Sequence, residues 1–179
     1  QLNERVRVCP AAGISVWKRM RSAYHIGVKL LKDGQYSVVT AQDPFETGVV
    51  GCALAQRFKI PLQIQLHTDF LSPYFYSESW KNKLRVWCAR YTVPKAQQIR
   101  VVSERIRESL IQWKPELKNK IMVLPIFIDI KKIQSARAKT DARQLYPEFH
   151  TRIVIASRLT KEKNIPLALQ ACAPIFRED

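Results

Sequence analysis

Short apolar runs alternate with longer amphipathic stretches along most of the chain, and this alternation constrains the fold more than any other feature. The run at 36–41, YSVVTA, is β-branched and apolar on both faces, as a strand inside a parallel sheet is. Residues 62–67, 99–102, 121–124 and 152–157 (RIVIAS) also read as strands, and 6–9 reads as an opening strand. Between them, 15–32 carries Val16, Met20, Tyr24, Val28 and Leu31 at helical spacing. Gly34 follows that stretch, where a left-handed residue is expected to end the helix. The next helix, 45–58, contains Gly48, Gly51, Ala53 and Ala55, which allow close approach to a sheet, and Pro61 ends it. Further helices fall at 79–91, 103–113 and 165–176, with Pro166 in the first turn of the last. The pattern predicts βαβ units: an α/β, Rossmann-like, doubly wound parallel sheet with helices on both faces.

Residues 131–149 interrupt the pattern. They are polar, charged and poorly periodic, with a short helix expected near 140–145, and they read as a connector. The chain therefore divides into a Rossmann-like domain with its connector, 1–149, and the first βα unit of a second such domain, 150–179.

Composition narrows the function classes. Lys plus Arg is 30 against 15 Asp plus Glu, a net charge of +15, which points to an anionic partner: nucleic acid, a phosphate-bearing substrate or an acidic membrane surface. The longest stretch without a charged residue is the 13 residues at 164–176, so no segment supplies the roughly 20 apolar residues of a membrane span. All five glycines lie in the first third, so neither common phosphate-binding glycine pattern is present and a dinucleotide-dependent enzyme ranks last. Cys9, Cys52, Cys88 and Cys172 are too widely spaced for a zinc site and read as thiols in a reducing compartment. Neither a metal nor a resident cofactor is expected.

Ligands of open parallel sheets sit at the carboxyl ends of the strands. Asp43 and Glu46 follow one strand there, and their carboxylates suit acceptor hydroxyls, although Asp43-Pro44 is also an ordinary turn opening. His67, Thr68 and Asp69 follow the next, and an imidazole can donate or accept a hydrogen bond. Arg158, Lys161 and Lys163 follow the last, as an anion site or a solvated basic loop. His25 and His150 have no such placement and read as surface residues.

The 79–91 helix has two readings. Trp80, Leu84, Trp87 and Tyr91 share one face, and Lys81, Lys83, Arg85, Arg90 and Lys95 are unopposed by any acid from 80 to 95. Trp80, Lys81, Lys83, Arg85 and Trp87 would touch an anionic membrane; in the simpler reading the stripe packs on the sheet and the basic face meets water.

Four segments resemble the retaining family 4 of GT-B glycosyltransferases, in the right order. ETGVVGCALAQRFKIPLQIQLHTDF resembles that family's small-residue helix and histidine-ended strand, and VVSERIRESL its serine-capped helix. IMVLPIFID sits where the family has a Pro-Asn-Gly segment, and IVIASRLTKEKNIPLALQA resembles the opening of its donor-binding domain. The resemblance implies a sugar transfer from a nucleoside diphosphate to a glycan or lipid-linked acceptor, with retention and without a metal. It implies that Arg158 and Lys163 bind the donor diphosphate, that His67 faces the transferred sugar, and that Asp43, Glu46 and Asp69 serve the acceptor. It also implies a cytoplasmic protein, peripheral at the inner face of a membrane. A basic nucleic-acid-binding module is the alternative, though no recognised nucleic-acid motif supports it.

The chain departs from the family in places. Pro125-Ile126-Phe127 replaces Pro-Asn-Gly, Asn164 stands where glycine follows the lysine, and the family's Gly-rich opening turn and E-x7-E motif have no counterpart. The expectation is a segment cut at both ends and inactive by itself.

Overall fold

Four of the apolar runs become strands, all parallel: β1 (Val39–Ala41), β2 (Leu62–Leu66), β3 (Gln98–Val101) and β4 (Ile121–Val123). They lie in the order β1-β2-β3-β4, each crossover carrying helix, so the α/β parallel architecture is present. The structure is a computed structural model and describes residues 6–34, 36–136 and 140–175. The chain divides into two compact units, 1–126 and 127–179.

In the first unit, α1 (Val16–Asp33) precedes β1, and α2 (Glu46–Phe58) joins β1 to β2. Helices α3 (Pro73–Glu78) and α4 (Trp80–Thr92) join β2 to β3, and α5 (Glu104–Trp113) joins β3 to β4. Three of these helices begin at a serine whose Oγ accepts a backbone N–H two or three residues into the first turn. Ser15 accepts from Lys18 (3.3 Å), Ser79 from Asn82 (3.2 Å) and Ser103 from Ile106 (3.4 Å). Each serves a first-turn donor, worth about 1 kcal/mol, and the Asn82 N–H is shared with the Ser79 carbonyl (3.1 Å).

The core lies on one face of the sheet. Leu62, Ile64 and Leu66 of β2 and Ile99 and Val101 of β3 are buried against Cys52 and Ala55 of α2, Val86 and Ala89 of α4, and Ile106 and Leu110 of α5. The alternate positions are polar and bond across strands: Gln63 Nε2 donates to Gln98 Oε1 (2.8 Å), and Arg100 Nη1 donates to Gln65 Oε1 (2.7 Å).

Several sequence expectations are corrected. The run at 36–41 enters the ladder only at Val39, because its partner β2 begins at Leu62, and Thr40 is exposed. Residues 6–9 form no strand, since no neighbouring strand among the described residues pairs with them. Gly34 is extended (φ −116°) rather than left-handed; a Cβ there would run into the Tyr36 ring, so the small residue serves close approach.

The second unit contains α6 (Ile130–Ser135), α7 (Ala142–Leu145) and α8 (Ile165–Cys172). The expected strand at 152–157 does not form. Ile153, Val154 and Ile155 are exposed and have no strand beside them among the described residues, and a strand exists only in a ladder. Helix α8 ends four residues earlier than predicted, and residue 176 lies outside the described residues.

Candidate active site

Parallel strands end at one edge, and the register decides what meets there. Ala41 lies beside Ile64, so the turn after β1 and the loop after β2 leave the sheet side by side. That brings Asp43 and Glu46 to the same edge as His67, which is exposed.

The turn after β1 is held in place by its own polar groups. Asp43 Oδ1 accepts from Phe45 N (2.8 Å), while Thr47 Oγ1 donates to the Asp43 carbonyl (3.2 Å) and accepts from Asp43 N (3.2 Å). From the far side, the wholly buried Thr92 Oγ1 donates to the Pro44 carbonyl at 2.6 Å. Gly48 lets α2 approach this turn: a Cβ there would stand 2.8 Å from the Asp43 carbonyl oxygen, inside van der Waals contact.

Glu46 has a partner the sequence did not reveal. Arg85 of α4 reaches its Oε1 through Nε (3.0 Å) and Nη2 (2.9 Å), and its guanidinium lies 5.7 Å from the Phe45 ring centroid. Phe45 in turn stacks on Phe75 at 5.5 Å. Arg85, expected at a membrane surface, therefore sits beside the Glu46 carboxylate. The spacing carried a signal: Arg85 lies about 140° around the helix from Trp80 at roughly 100° per residue. The Glu46 charge also reaches Cys88, whose thiol burial first and then Glu46 push above its ordinary value.

Asp69 is occupied differently. Its Oδ1 accepts from Leu71 N (3.1 Å) and from Ser109 Oγ (3.1 Å), and Arg105 lies 3.7 Å from its Oδ2. The carboxylate pins the loop after His67 to α5. Behind it, Arg100 donates through Nε and Nη2 to the Leu124 carbonyl (3.3 and 3.2 Å), fixing the exit of β4.

A cavity of about 560 Å³ opens beside the turn after β1, and the loop after β2 does not line it. Val16, Met20, Val39 and Leu54 line its apolar part, and Arg19, Asp43, Glu46 and Arg85 its polar part. An apolar trough with a few convergent polar groups is what a small-molecule site requires. Among the described residues, no three of His, Cys, Asp and Glu gather closely enough to hold a metal ion.

Arg158 and Lys163 lie in the second unit: Arg158 is exposed and precedes a single 3₁₀ turn at Lys161–Lys163, whose last residue is Lys163. Asn164, standing where glycine was expected, is left-handed (φ 45°, ψ 49°), and its side chain caps α8 by accepting from Leu167 N (3.4 Å). Asparagine is among the few residues that tolerate this conformation, so the substitution keeps the bend. Trp80 and Trp87, with Lys81 and Lys83, are exposed on α4, which overturns the reading in which the aromatic stripe packs on the sheet.

Residues 1–126 match the family model described as a glycosyl transferase 4-like domain. No curated protein matches the chain.

Proposed function

The chain belongs to the glycosyl transferase 4-like family, and on that premise we propose that it transfers a sugar from a nucleoside diphosphate to an acceptor hydroxyl with retention of configuration. One observation supports the acceptor side of this reading: Asp43 and Glu46 line a cavity, on a turn that leaves the sheet at the same edge as the loop bearing His67.

In this reading Asp43 and Glu46 receive the acceptor hydroxyls, and Arg85 fixes the Glu46 carboxylate. His67 hydrogen-bonds the transferred sugar. Asp69 serves the acceptor side through the loop it holds. Arg158 and Lys163 bind the donor diphosphate. As the glycosidic bond breaks, the anomeric carbon gains positive charge and the departing diphosphate negative charge. Preorganised cations stabilise that leaving group more than the ground state, which lowers the barrier without a metal. Arg158 offers a planar fork of donors and Lys163 a point charge.

The acceptor is a glycan or a lipid-linked molecule, and a lipid-linked one would bring the reaction to the inner face of a membrane. Among the described residues no helix is long and apolar enough to cross a bilayer. The test is a mass-based transfer assay of the full-length gene product with a panel of nucleoside diphosphate sugars, with the product's anomeric configuration read by NMR. Arg158→Ala is expected to lower kcat/KM by about 10²-fold or more. Turnover indifferent to Arg158 and His67, or a product of inverted configuration, would defeat the assignment.

A further inference from the structure

We infer that the outer face of α3 and α4 is a docking surface for an anionic lipid bilayer. Helix α4 presents two opposite faces. Asn82, Val86, Ala89 and Thr92 are buried. At about 100° per residue, Trp80, Leu84, Trp87 and Tyr91 fall within an arc of about 60° on the other side. Trp80 is 71% exposed, Trp87 67%, and Leu84 and Tyr91 49% each. Helix α3 adds Tyr76 (50% exposed), whose ring lies beside Lys83 of α4. It is fastened to α4 by Asn82 Nδ2, which donates to the Phe75 carbonyl at 3.0 Å. Contiguous apolar exposure on this scale marks an interaction surface.

Cations border the aromatics on both sides. Lys83 and Arg90 project to one flank of the stripe and Lys81 to the other, all three exposed. Lys95 Nζ stands 4.1 Å from the Tyr91 ring centroid, and Lys83 Nζ 5.5 Å from that of Tyr76. No acid occurs from 80 to 95, and the nearest, Glu78, accepts from Asn82 Nδ2 (2.9 Å). Arg85 is outside this surface because it is bound to Glu46.

This chemistry matches the boundary between headgroups and acyl chains. Tryptophan and tyrosine carry an apolar body with a polar tip, and lysine stems can bury while their ammonium groups reach anionic headgroups. Leu84 in the middle of the stripe favours lipid over nucleic acid, which would stack on the rings and gain nothing from an aliphatic side chain. Lying flat, a helix of 13 residues sinks its stripe into the interface without crossing it. The inference stands apart from the transferase reading, since vesicle binding and turnover are separate measurements.

Co-sedimentation with phosphatidylcholine vesicles, with and without phosphatidylglycerol, tests it. The protein is expected to bind the phosphatidylglycerol-containing vesicles, less tightly as salt rises. Trp80→Ala with Trp87→Ala is expected to weaken binding at least about tenfold, through lost apolar area. Lys81→Ala with Lys83→Ala is expected to weaken it about 30-fold at low salt. Arg85→Ala is expected to leave vesicle binding unchanged, and circular dichroism of each variant checks that it is folded. Three results would overturn the inference: no vesicle binding, vesicle binding indifferent to the two tryptophans, or tighter tryptophan-dependent binding to single-stranded RNA than to vesicles.

Discussion

Helices α4 and α5 are both capped by a serine, both amphipathic, and both set on the same face of the sheet, yet they use their large apolar side chains oppositely. In α5, Ile106 and Leu110 go inward, and Trp113 packs edge-on against the buried Phe70 at 5.8 Å. In α4 the largest side chains point outward, and the inward face is built from Val86, Ala89, Asn82 and Thr92. Small inward residues let α4 lie close to α2. Size and hydrophobicity alone therefore do not say which stripe of a helix is core.

Three sets of substitutions would break or sharpen that contrast, each read by urea unfolding with unchanged slope. The largest effect is expected at Leu110→Ala, which empties a 1% exposed site and should cost about 2–5 kcal/mol. The paired change Leu84→Ala on α4 should cost under about 0.5 kcal/mol; an equal loss would show that the outer stripe is core after all. Next comes Ala89→Leu. It makes α4 more apolar but should destabilise by about 1–3 kcal/mol, because the inward face has no room. The smallest effects belong to the caps: Ser79→Ala and Ser103→Ala should each cost about 1 kcal/mol, and clearly unequal losses would mean that the two helices are not comparably anchored.

The elements of the first unit were largely legible because their periodicity is local. The serine caps, Pro61 and the small-residue helix announce themselves within a few residues of the events they cause. What could not be read was set by partners distant in the chain. The length of β1 depends on where β2 begins. The runs at 6–9 and 152–157 have strand composition, but a strand needs a neighbour, which composition cannot guarantee. The same limit applies at the site. That Asp43 and His67 share an edge follows from parallel strand order, a fold-level rule. That Arg85 grips Glu46, and that Asp69 is bound to Ser109, required contacts across 39 and 40 residues.

The bond from Thr92 to the Pro44 carbonyl spans 48 residues and lies wholly out of water. A buried carbonyl stripped of this donor cannot fall back on solvent, so the placement of the two acidic groups beyond β1 depends in part on the tail of α4. A tilt of that helix would therefore reach them through this hydroxyl, alongside the bonds that Asp43 and Thr47 make within the turn.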